Sequence, residues 1–139
     1  MGVYVDGSAL SRYLIDATST GDWCAWAAVW EAELLTTTLG VNELRRAAAW
    51  KGSADRAVAH GVTERLRVVP FSDQAFGAAV TRAKGLTPFQ ALHLGVALTE
   101  PDVDRIATYD GKLARTAAKE GLQVVSPGRR PGWWSQSDS

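Results

Sequence analysis

Val3-Tyr4-Val5-Asp6-Gly7-Ser8-Ala9-Leu10 runs three β-formers into an acid, turns on Gly-Ser and begins a helical pattern. Leu10, Tyr13, Leu14 and Ala17 share one face of that helix, with Ser8 placed to cap it. Ile106-Ala107-Thr108-Tyr109 repeats the arrangement and runs into Asp110-Gly111. Leu122-Gln123-Val124-Val125 is a third short run, closed by Ser126-Pro127-Gly128. Leu34 to Thr38 and Arg67 to Phe71 read as two further strands.

Helical patterns fill the gaps. Trp23, Trp26, Ala27 and Trp30 lie on one face, and a further helix is predicted from Val41 to Trp50. Ser72 opens another, whose Phe76, Ala79, Val80 and Ala83 are expected to face inward. Pro88 starts a nearly all-apolar helix through Leu98, which should be buried. The last helix turns Leu113, Ala114, Ala117 and Ala118 inward and stops at Gly121. Strands alternating with helices predict an α/β domain around a parallel sheet, with right-handed crossovers and helices on both faces. Such sheets bind ligands beyond the carboxyl ends of their strands, where the strand order switches. Asp6 and Asp110 both follow strands.

The 139 residues suit one compact domain, and 46% hydrophobic with 22% charged residues is ordinary globular composition. Formal net charge is zero, so a general nucleic-acid binder is not indicated. The charge is uneven. Residues 1–39 carry five acids against Arg12 alone, whereas residues 40–84 carry eight bases against four acids. That basic stretch could meet phosphates or simply form solvated helix faces. The single cysteine, Cys24, offers no internal disulfide and no zinc set. With no secretory pattern and no bilayer-spanning apolar run, a cytoplasmic protein with no membrane partner is expected. Residues 129–139, rich in Gly, Pro and Ser, read as an irregular tail after a domain of residues 1–128. Trp133 and Trp134 within it could pack on a partner or fold back on their own domain.

Asp6 could bind a cation or merely stabilise a turn, and Asp110 could equally cap the helix that follows it. Two acids at strand ends of one sheet favour a cation, because clustered carboxylates repel one another. Glu43, beside Asn42, could position water or pair with Arg46 at i+3; Arg46 could instead take a phosphate. In the apolar helix 88–98, Gln90 and His93 are polar, three apart and on one face. Such a pair needs partners, either the acidic site or, for His93, a backbone carbonyl. Walker, dinucleotide, zinc and nucleophile-elbow signatures are absent from the sequence.

Together these segments resemble the PIN-domain ribonuclease toxins of VapBC toxin–antitoxin systems. Residues 3–10 resemble that family's first strand, acid and helix, typically D-x-S-A-L. Asn42-Glu43-Leu44-Arg45-Arg46-Ala47 resembles its second acidic motif. Gln90-Ala91-Leu92-His93-Leu94-Gly95-Val96-Ala97 resembles its D-A-x-H-L-A helix, and Thr108-Tyr109-Asp110-Gly111-Lys112-Leu113-Ala114 with residues 121–128 resembles its closing segment. The likeness spans about residues 3–128. It implies a three-layer α/β/α sandwich with a central parallel sheet of four to five strands, and usually a homodimer. It implies metal-dependent cleavage of RNA and a small antitoxin that blocks the site and helps repress the operon. Asp6, Glu43, position 90 and Asp110 would converge on Mg2+ or Mn2+, with Ser8, Asn42, His93 and Thr108 in support. Gln90 departs from the pattern, which has Asp there. It offers a carbonyl oxygen but no charge, so weaker metal binding is expected. A PIN-fold module that binds RNA or an antitoxin without cleaving is the alternative. A receiver-like regulatory domain fits less well, since Asp6 is a single acid and Lys112 lies at a helix start.

Overall fold

The computed structural model describes residues 2–15 and 19–135. Five parallel strands form one sheet: β1 (Gly2–Val5), β2 (Leu34–Thr36), β3 (Arg67–Val68), β4 (Val103–Ala107) and β5 (Gln123–Val125). Their spatial order is β3-β2-β1-β4-β5. The chain steps outward from β1 to β3 and then returns to the other side of β1. The switch in strand order therefore lies between β1 and β4, the two strands that lead to Asp6 and Asp110.

The central strand separates two cores, because successive side chains point to opposite faces. Val3 and Val5 pack with Leu10, Trp23, Leu34, Leu44 and Val62. Tyr4 packs with Leu35, Leu94, Ile106 and Leu113 on the other face. Helices α1 (Gly7–Leu10), α2 (Thr20–Trp30), α3 (Thr38–Ala49) and α4 (Ser53–Arg65) contribute to the first core. Helices α5 (Asp73–Thr81), α6 (Pro88–Thr99) and α7 (Gly111–Lys119) contribute to the second. The result is a three-layer α/β/α sandwich. Among the described residues no helix is long and apolar enough to cross a membrane.

Several local expectations change. Asp6, not Ser8, is the N-cap of α1: its carboxylate accepts the Ala9 N–H while Ser8 sits inside the helix. The helix is a single turn continued by a 3-10 turn at Ser11–Tyr13, and Ala17, expected on its inner face, lies outside the described residues. Thr37 caps α3, which therefore starts before Val41. Helix α4 was not expected; only Ala59 and Val62 are buried along it, so its apolar stripe is too sparse to announce an amphipathic period.

In α5 the inward face is Ala75 and Ala78, whereas Phe76 and Val80 are 48% and 82% exposed. Alanines face α6 because those helices pack closely at Gly95. A Cβ at Gly95 would collide with the Ala75 carbonyl. In α7, Leu113, Ala114 and Ala117 are buried and Ala118 is exposed. Gly121 follows at φ +95°, the left-handed conformation that suits glycine at a helix end. Trp133 and Trp134 form a 3-10 turn that folds back onto α7, where the Trp134 carbonyl accepts from Arg115 at 3.0 Å. Of the two placements considered for Trp133 and Trp134, they take the one against their own domain.

Candidate active site

The register of the two central strands brings the site together. Val5 pairs with Ala107, and the ladder continues one step as the Asp6 N–H donates to the Ala107 carbonyl at 3.3 Å. Asp6 and Thr108 are therefore level, one residue beyond the ends of adjacent strands. The Thr108 hydroxyl donates to Asp6 Oδ2 at 2.6 Å and accepts the Asp110 N–H at 3.1 Å. Ser8 Oγ donates to the Asp6 carboxylate at 2.7 Å and accepts the Tyr109 N–H at 2.8 Å. Two hydroxyls thus tie the exits of β1 and β4 to each other.

Asp6 is only 3% exposed. Burial raises its pKa above 3.8, opposed by His93 nearby and by hydrogen bonds from Thr108, Ser8 and Ala9. All the donors that hold it are neutral. A buried carboxylate with no ion pair of its own among the described residues is poorly compensated. Asp110 is half-buried and caps α7, its Oδ1 accepting the Leu113 N–H at 3.1 Å.

Helix α6 presents Gln90 and His93 to this edge. Gln90 Nε2 donates to Asp110 Oδ2 at 2.7 Å, and Gln90 Oε1 accepts the Thr87 N–H at 2.9 Å as part of a capping box. The amide orientation is forced, since a backbone N–H needs the oxygen and a carboxylate needs the nitrogen. The carbonyl expected as a substitute metal ligand is therefore committed to the helix cap. His93 bonds side chains and not the backbone carbonyl considered for it. Nε2 meets Glu43 Oε1 at 2.6 Å, and Nδ1 meets the Tyr4 hydroxyl at 2.7 Å. Tyr4 in turn lies 3.1 Å from the Thr37 hydroxyl.

Glu43 faces His93, so the alternative pairing with Arg46 does not form. Arg46 is exposed on α3. Asn42 is also exposed and lines a groove of about 460 Å³ with Thr38, Leu39, Arg45, Phe71 and Leu92, a lining that includes none of the acids. Tyr4 and Thr37 are part of the cluster and were missed from sequence. A tyrosine within a buried strand needs a partner for its hydroxyl, and that is the signal that could have found it.

Asp6, Ser8, Thr108, Asp110 and Gln90 thus form one hydrogen-bonded group, and Glu43, His93, Tyr4 and Thr37 a second. Among the described residues no group of three or more His, Cys, Asp or Glu is arranged to hold a metal ion. Two carboxylates remain, and magnesium is commonly held by one or two carboxylates with water and substrate phosphate completing its shell. Burial of Asp6 without an ion pair of its own fits a cation at that pair.

No protein-family model and no curated protein matches the chain. A chain from the solved structure of FitAB bound to an IR36 DNA fragment superposes with a TM-score of 0.71 at 16% identity. The match covers 92% of this chain and 96% of that one. The fold is PIN-like. At that identity the likeness is one of architecture. In this PIN-like fold the acids sit at the carboxyl edge of the sheet, over the switch between β1 and β4.

Proposed function

We propose that this chain is a divalent-metal-dependent endoribonuclease and the toxin of a VapBC-type toxin–antitoxin pair, acting in the cytoplasm. The observation that carries the reading is the Asp6–Thr108–Asp110 connection at the topological switch. The motif order noted in the sequence and the PIN-like fold support it.

Asp6 and Asp110 would hold Mg2+ or Mn2+. When bound, the cation supplies Lewis acidity, stabilising negative charge on the phosphate and the departing oxygen. The chain's own groups do the remaining work. Ser8 and Thr108 orient the Asp6 carboxylate by donating to it. Glu43 positions the attacking water and accepts its proton, while Arg46 contacts a flanking phosphate. Gln90 adds no negative charge, so the metal is held more weakly than by an acid at that position. The partners would be an RNA substrate, a second copy of the chain and a small antitoxin covering the acidic edge. FitAB was solved on DNA, in keeping with an antitoxin complex that represses its operon.

Gln90 also favours a second reading, in which the chain binds RNA or an antitoxin without cleaving. Its amide already satisfies one oxygen of Asp110. RNA cleavage with and without Mg2+ or Mn2+ decides between the two. The ribonuclease reading expects metal-dependent cleavage by the wild type, none by Asp6→Asn and more by Gln90→Asp. A wild type with no metal-dependent cleavage and no growth arrest on expression leaves only the binding module.

A further inference from the structure

We infer that His93 is a positioning residue for Glu43, the end of a hydrogen-bonded chain that starts at the cap of the helix carrying Glu43 itself. The inference rests on the ribonuclease reading of the site and adds a residue to it. The Gly40 N–H donates to Thr37 Oγ1 at 3.4 Å, Thr37 meets Tyr4 at 3.1 Å, Tyr4 meets His93 Nδ1 at 2.7 Å, and His93 Nε2 meets Glu43 at 2.6 Å. Tyr4, Thr37 and His93 are buried.

The chemistry gives the last link a direction. An ionised carboxylate only accepts, so the short contact requires a proton on His93 Nε2. That holds for the neutral ring, with Tyr4 donating to Nδ1, and for the doubly protonated ring, with Nδ1 donating to Tyr4. Each link fixes the next, and the far end is anchored to the α3 cap and to β1, two residues before Asp6. Glu43 would otherwise be a long, partly exposed side chain free to sample rotamers. Its side chain is 33% exposed, and only Oε1 is engaged among the described residues. The second oxygen is left for water. Gly7 completes the seat: a Cβ at that position would collide with the Glu43 carboxylate. Glu43 is thus held between the first turn after β1 and a buried imidazole.

The test combines a structural and a kinetic readout on the full chain. Long-range proton–nitrogen correlation of the imidazole is expected to show Nε2 protonated in the wild type. His93→Leu, which removes the donor, is expected to lower kcat for metal-dependent RNA cleavage about 10–100-fold, with KM little changed. His93→Gln, whose amide can donate from a similar place, is expected to recover most of that loss. Tyr4→Phe, which removes only the far partner, is expected to lower kcat less and to loosen the ring's protonation preference. It serves also if His93→Leu does not fold. An unprotonated Nε2 in the wild type overturns the inference, as does equal kcat loss in His93→Leu and His93→Gln while the wild type cleaves. A wild type with protonated Nε2 but no cleavage overturns the ribonuclease reading together with this role.

Discussion

Gln90 reaches Asp110 at 2.7 Å with its amide nitrogen, while its oxygen is held by the Thr87 N–H. One side chain therefore closes the cap of α6 and satisfies one oxygen of the acidic edge. An aspartate at this position would reverse the electrostatics, setting two carboxylates face to face. In chelator, Gln90→Asp is expected to melt at a lower temperature than the wild type. On adding Mn2+ it should gain more in melting temperature, because its folded state binds the ion more tightly. Equal metal-induced shifts in the two proteins would show that position 90 does not reach the cation.

Asp6 gives a pH signature. Its pKa in the folded chain lies above the 3.8 of an ordinary aspartate because burial disfavours the charge. A raised carboxyl pKa contributes stability below the unfolded value, lost as pH rises through the folded value. At neutral pH the ionised group therefore weakens the fold when no cation is present. Asp6→Asn is expected to melt above the wild type in chelator at pH 7, with the gap narrowing toward about pH 4. Mg2+ should close that gap by stabilising the wild type alone. Thermal melts of both proteins across that pH range check the sign.

Thr108 is fully buried and its hydroxyl serves both acids. Thr108→Val keeps the shape, strips a donor from Asp6 and leaves the Asp110 N–H without its acceptor. Urea unfolding is expected to show a loss of about 1–3 kcal/mol, the range for an unsatisfied buried polar group. Thr108→Ser, which keeps the hydroxyl, should recover most of it.

Two glycines separate packing from helix propensity. Gly95 lies where α6 meets the backbone of α5, and an added Cβ would strike the Ala75 carbonyl and come within 3.1 Å of the Ala79 nitrogen. Gly95→Ala is expected to destabilise by about 1–3 kcal/mol through forced separation of the helices. Gly77, within α5, has open space at the same point. Gly77→Ala should stabilise by roughly 0.5–1 kcal/mol, since alanine loses less backbone entropy in a helix. Paired denaturation curves measure both.

The alternation of strands and helices, and two carboxylates just past strand ends, were legible from residue order alone. Short β runs at Val3–Val5, Ile106–Tyr109 and Leu122–Val125, each closed by turn residues, marked three strands to within a few residues. The apolar helix with Gln90 and His93 on one face required partners for both, either the acidic site or, for His93, a backbone carbonyl. Such signals are local: residue type, period and punctuation. The bonding partner of each polar atom came from the folded arrangement. Strand register set Thr108 level with Asp6, a relation between residues far apart in the chain. The capping box turned the Gln90 carbonyl away from the site. Chain reversal placed Glu43 against His93 and not Arg46. The close approach of α5 and α6 buried alanines and left Phe76 and Val80 outside. The two carboxylates at strand ends were therefore legible from the sequence. Their hydrogen-bond partners were not, because a side chain's partner depends on which distant backbone is brought beside it.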